Sequence, residues 1–215
     1  MKTLKQVKPY RLFLAVCPLL FLCSCFGMAM DIELHRNGSG ILSLEYRVSK
    51  SLDSLGRLDG NERWNTIPVG RADFERTLSR LPEMKLLSFS SKDDRNDIII
   101  TAKIEFSSIN GLLAFLDAGG RRSSFAGNAE SGTLFLALNE GGGAGNPELL
   151  KLIEEISSSY SIKMGMKFSG EGTLSVLDNS GTPLEAQKRG RTVSCTFPLY
   201  QVLSSSDGMN LEFKW

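Results

Sequence analysis

From Ile100 to Phe106 the chain alternates strictly, and Ile98 extends the same face. Ile98, Ile100, Ala102, Ile104 and Phe106 fall on one face, and Thr101, Lys103 and Glu105 fall on the other. A period of two is the signature of a strand with one face on a core and one in water. A helix cannot use this pattern, because a period of 3.6 would scatter the five apolar residues around its axis. The segment Met84 to Ser90, followed by the polar turn Lys92 to Asp97, supplies the antiparallel partner and makes a hairpin.

The same alternation recurs along the chain. Asp31 to Arg36 places Ile32 and Leu34 on one face. Asn37-Gly38-Ser39-Gly40 turns, and Ile41 to Val48 follows with Leu42, Leu44, Tyr46 and Val48 in phase. His35 then points to the opposite, solvent face. Further strands are expected over Arg121 to Gly127, Thr133 to Leu138, Ile162 to Phe168, Thr173 to Leu177, Thr192 to Phe197 and Asn210 to Trp215. Asp178 to Gly190 reads as a polar loop. In Ser49 to Gly70, Asp59-Gly60-Asn61 is a turn signal, and Trp64 with Ile67 would pin the segment to the core.

Helical spacing interrupts the hairpins in a few places. Arg71 to Leu81 carries Phe74, Leu78 and Leu81 on one stripe, and Pro82 ends it. Ser108 caps a helix whose stripe is Ile109, Leu112, Leu113 and Leu116, with Gly119-Gly120 as its stop. Asn146 and Pro147 open the longest helix, which runs to about Ser158. Its stripe is Leu149, Leu152, Ile153, Ile156 and Tyr160. Pro198 to Ser204 is a helical turn. The expected class is α+β: one domain with a largely antiparallel sheet built from hairpins, and about three short-to-medium helices packed on it. Parallel βαβ winding is not expected.

The first thirty residues have a different character. Lys2, Lys5, Lys8 and Arg11 precede an apolar run, Leu12 to Leu22, and no acid occurs before Asp31. The run is shorter than the roughly 20 apolar residues that span a bilayer, and it has the layout of an export signal. Two ends are open to it. Leu22-Cys23-Ser24-Cys25 reads as a lipobox, with cleavage after residue 24 and a lipid on Cys25. Gly27-Met28-Ala29 suits plain cleavage after Ala29. The first reading gives a signal peptide over 1–24 and a single domain over 25–215, anchored to an extracytoplasmic membrane. Each buried CH₂ of an acyl chain contributes about 0.8 kcal/mol to anchoring. The second reading gives a soluble periplasmic protein.

Without the leader, roughly 185 to 190 residues remain, enough for one domain with a real core. Of 25 Lys and Arg, four lie in the leader; the remaining 21 face 24 Asp and Glu, a charge of −3. No basic footprint for nucleic acid results. No second long apolar run follows, so no transmembrane helix is expected. Cys17, Cys23 and Cys25 belong to the leader region and only Cys195 to the body, so no internal disulfide forms there. Between Val193 and Phe197, Cys195 reads as a small buried hydrophobe.

Motifs with chemistry are sparse. The glycine-rich loop before Asn146 lacks the Gly-Lys-Ser/Thr ending of a P-loop and the spacing of a dinucleotide fingerprint. Asp93, Asp94, Asn96 and Asp97 are interrupted by Arg95, with Lys92 alongside, and follow no calcium-loop pattern. His35 is the only histidine, so neither a zinc site nor a Cys–His or Ser–His pair is readily assembled. No catalytic residue, cofactor or metal is expected. Met164, Met166, Phe168, Phe197, Leu211, Phe213 and Trp215 form a broad apolar sheet face. It serves either as ordinary core or as the wall of a gap that accepts an acyl chain.

Three stretches taken together resemble a known family. They are the leader with Cys25 followed by DIELHRNGSGILSLEYRV, then IPVGRADFERTLSRLPEMKLLSFSSKDDRNDIIITAKIEF, and the ending GRTVSCTFPLYQVLSSSDGMNLEFKW. They resemble bacterial envelope lipoproteins of the LppM-like type, especially hypothetical lipoproteins of spirochaetes. The resemblance implies an exported, non-enzymatic α+β domain with no known catalytic residues and raises the expectation of a lipid or glycolipid ligand. A structural or protein-interaction module of the envelope is the alternative, and an enzyme of unrecognised type is third.

Overall fold

The computed structural model describes residues 26–50, 68, 70–95, 97–117, 122–138, 147–157, 160–178, 185–205 and 208–215. The first strand, β1 (Phe26–Leu34), begins well before the expected Asp31. The reason is visible in the side chains. Met28 and Met30 are in phase with Ile32 and Leu34, so the alternation extends back through residues that also read as a cleavage signal. β2 (Gly40–Ser49) returns antiparallel, with Met30 opposite Leu44 and Ile32 opposite Leu42. Gly38 makes the turn at φ +82°, which glycine adopts at no steric cost.

A helix, α1 (Arg71–Leu78), follows and buries Phe74 and Leu78. It is one turn shorter than its apolar spacing predicts; Leu81 falls in the turn beyond it. Trp64, Ile67 and the turn at Asp59-Gly60-Asn61 lie outside the described residues. β3 (Met84–Asp94) and β4 (Asp97–Phe106) form the expected hairpin, but with a much tighter turn, since Asp94 pairs with Asp97. Ile100, Ala102, Ile104 and Phe106 are buried and Thr101, Lys103 and Glu105 exposed, as the alternation requires. Ser108 Oγ accepts the Gly111 N–H at 3.0 Å and caps α2 (Ile109–Leu116). The expected stop at Gly119-Gly120 lies outside the described residues.

β5 (Ser124–Gly127) and β6 (Gly132–Ala137) make a short hairpin, and α3 (Pro147–Ser157) follows. Asn146 and the side chains of Leu149, Leu152, Ile153 and Ile156 lie outside what is described. Then come β7 (Ser161–Lys167), β8 (Thr173–Asp178), β9 (Gln187–Arg189), β10 (Thr192–Pro198), the six-residue α4 (Leu199–Ser204) and β11 (Met209–Lys214). β9 corrects the expected loop over Asp178 to Gly190. All three of its side chains are exposed, so it has no apolar alternation to betray it, and backbone pairing with β10 alone defines it.

The strands form two sheets rather than one. The larger has seven strands in the order β3-β4-β2-β1-β7-β10-β9, and the smaller four, β5-β6-β11-β8. Among the described residues all pairings are antiparallel except β1 with β7, which runs parallel with Met30 beside Met164 and Ile32 beside Met166. The fold is therefore α+β and mostly antiparallel, with one parallel pair that the hairpin pattern does not foretell. β1 is the middle strand of the larger sheet. It joins the N-terminal meander to the strands from the C-terminal half.

One continuous core draws side chains from both sheets. Phe74, Phe106, Phe168, Phe197 and Phe213 are among its largest fully buried side chains. Burial of each such side chain contributes about 1.5–3 kcal/mol. Burial of the Tyr46 ring raises its phenol above the ordinary range, and its hydroxyl donates to the Pro68 carbonyl, tying the end of β2 to the approach to α1.

Candidate functional site

The two ends of the larger sheet differ. At one end lie the turn His35–Ser39, the start of β3 and the end of β7. At the other, β1 begins, β2 and β3 end, β7 begins and β10 ends. This is the leader end, because Cys25 is bonded directly to Phe26. Cys25 itself lies outside the described residues.

At the leader end the chain crosses between the sheets. α3 leads into β7, α4 leads from β10 to β11, and the two helices pack against each other. The Leu199 N–H donates to the Tyr160 carbonyl at 2.9 Å and fixes the start of α4 beside the start of β7. Val202 on α4 is buried, whereas Leu203 is 45% exposed. Across the sheet, the β3–β4 turn presents exposed Lys92 and Arg95. Beside it, Arg47 lies 3.5 Å from Asp94, and Lys50 lies 3.7 Å from Asp93. These acids therefore sit in ion pairs at a hairpin turn. Among the described residues, no group of three His, Cys, Asp or Glu is arranged to hold a metal.

Phe26 to Ala29, the residues between the two candidate cleavage points, form the first part of β1. Met28 is paired with Tyr46 on one side and Ile162 on the other; Ala29 is paired with Glu45 and Lys163. Cleavage after Ala29 would remove four of the nine residues of the middle strand. Cleavage before Cys25 would leave the strand whole. The sequence contains the signal for this, because Met28, Met30, Ile32 and Leu34 alternate in phase.

The remaining candidates are placed apart. Cys195 is 1% exposed, in the core row with Met164 and Met30, and burial pushes its thiol up to about 12. His35 is exposed at the opposite end, with its Nδ1 3.2 Å from Ser39 Oγ. The fold does not bring these two together. The glycine-rich segment 141–145 lies outside the described residues.

Comparison of the chain with family models, curated proteins and solved structures returns no match. The likeness to LppM-like lipoproteins thus rests on the three stretches quoted above.

The apolar residues expected to form a sheet face divide between the sheets. Met164, Met166 and Phe197 lie in the larger sheet, with Phe168 just beyond β7; Leu211 and Phe213 lie in the smaller, with Trp215 just beyond β11. All but Trp215 are buried in the common core. Trp215 stacks between Phe125 and Phe168, with ring centroids 5.7 and 5.6 Å away, at the end remote from Cys25. Among the described residues no helix is long and apolar enough to cross a membrane.

Proposed function

We propose that this protein is a non-enzymatic lipoprotein of the cell envelope, held at an extracytoplasmic membrane face by a lipid on Cys25. The observation that carries the reading is the continuity of β1 back to Phe26. Processing at the lipobox retains the whole middle strand, whereas processing after Ala29 deletes ladder partners on both its sides. A lipid or glycolipid ligand belongs to this reading through the family resemblance. The intact mass of the protein from its native host tests the anchor. A chain beginning at Cys25 with added acyl mass is expected, and a chain beginning at Met30 without it would overturn the reading. Cys25→Ala is expected to move the protein from the membrane to the soluble envelope fraction.

A second reading, a module that binds another envelope protein, is favoured by β3. This eleven-residue strand ends the larger sheet, and its edge carries a bulge at Leu87, which is 45% exposed. Edge strands offer unpaired backbone groups to a partner, and bulges restrain such pairing. Crosslinking in cells from a photoreactive residue at position 87 tests it. Recovery of no protein partner counts against it.

A further inference from the structure

We infer that the leader end of the domain is a membrane-contact surface, with Leu203 on α4 and Lys92 and Arg95 on the β3–β4 turn set against the lipid headgroups. The inference rests on lipidation of Cys25 and adds how the domain then sits.

The tether sets the geometry. Consecutive α-carbons are about 3.8 Å apart, so an acylated Cys25 holds its lipid within one residue of the sheet. Phe26 already pairs with Ser161, one bulge before Met28, and Met28 is laddered on both sides, so no free chain separates anchor from domain. A domain on a long tether can tumble above a bilayer. One tethered by the first residue of its middle strand must rest that end of the strand on the headgroups.

The surface around that point suits the contact. Strands are spaced by about 4.8 Å. β10, from which α4 departs, is two strands from β1, so roughly 10 Å away. β3 is three strands away on the other side, roughly 14 Å. The anchor thus lies between an exposed leucine and a hairpin end where exposed Lys92 and Arg95 flank Asp93 and Asp94, whose charges are met by Lys50 and Arg47. An apolar side chain reaching the acyl boundary and cations at the phosphate level are the two elements of an interfacial contact. The opposite end, with His35 and Asn37, stands roughly 30 Å off, the length of a nine-residue strand.

The test uses the lipidated full chain reconstituted in vesicles of phosphatidylethanolamine and phosphatidylglycerol that contain a headgroup-attached quencher. Single fluorophores are introduced through Leu203→Cys, Lys92→Cys and Asn37→Cys; the parent, whose Cys195 is 1% exposed, is labelled in parallel as the control. Intact mass is read first. If no acyl mass is present, the anchored reading fails and this one with it. If acyl mass is present, labels at 203 and 92 are expected to lose most of their emission while the label at 37 keeps its own. Equal quenching at all three positions, or stronger quenching at 37, overturns the proposed contact and leaves the anchor standing.

Discussion

Gly27 lies so close to Tyr160 that a β-carbon added to it would sit 2.9 Å from the Tyr160 Cβ and 3.1 Å from Cδ1. The contact is where β1 enters the sheet beside the start of β7. Only a residue without a side chain fits against the Tyr160 side chain there. Gly27→Val is therefore expected to destabilise the fold by about 1–3 kcal/mol, the usual cost of overpacking. A urea titration of a chain beginning at Phe26 checks this. An unchanged midpoint would mean that β1 is not seated against Tyr160.

The same junction separates the two cleavage readings by stability. A chain beginning at Met30 lacks Met28 and Ala29, each paired on two sides. Each net backbone hydrogen bond contributes about 0.5–1.5 kcal/mol. Loss of several is a large fraction of a total of about 5–15 kcal/mol. We expect the chain from Met30 to unfold at clearly lower urea than the chain from Phe26. Coincident curves would remove the structural argument for processing at Cys25.

Much of this fold is legible where one face of a strand is buried. Ile100 to Phe106 reads correctly because its alternation is complete there, and Ser108 because a side-chain cap has a local signature. Three features resist reading for different physical reasons. β9 is a strand by backbone pairing alone. The parallel contact of β1 with β7 joins residues more than a hundred positions apart, and no local pattern encodes a partner. The separation of Met166 from Phe213 into different sheets is also hidden, because apolar alternation shows that a face is buried but not what it faces. At the candidate site, the lipobox is visible as a motif. The rival signal, Gly27-Met28-Ala29, obscures that these residues serve the strand: small Gly27 and Ala29 suit both a peptidase and a crowded sheet entry.

Glu33 and Lys167 bridge the parallel pair, with Nζ 2.7 Å from Oε1. The hydrogen bond from Lys167 is the main cause holding the Glu33 carboxyl below its ordinary value. A carboxylate with a depressed folded-state pKa stabilises the fold above its unfolded pKa, and the contribution is lost as pH falls through the folded value. Both side chains are nearly half exposed, at 44% and 46%, so solvent screens the pair. Lys167→Met is expected to cost less than about 1 kcal/mol near neutral pH. The difference should vanish in acid and shrink in high salt. Urea midpoints of both proteins at the two pH values decide it; a cost that persists in acid would assign the effect to packing of the lysine stem.

Cys195 makes the opposite prediction, at alkaline pH. It shares a core row with Met164 and Met30, and burial raises its thiol from an ordinary 9.0 to about 12. In the unfolded chain the thiol ionises first, so above pH 9 the unfolded state binds fewer protons than the folded state and stability falls as pH rises. Cys195→Ala removes this group, so the variant should lose less stability than the parent between 9.0 and about 12. Cys195→Ser instead places a hydroxyl in the same apolar row, which costs about 1–3 kcal/mol if unpaired. In the folded parent a thiol reagent should leave Cys195 unmodified, and modification should follow the unfolding curve in urea. Rapid labelling under native conditions would mean that the β7–β10 ladder opens without global unfolding. The lone thiol would then be a reporter of that opening rather than a fixed part of the core.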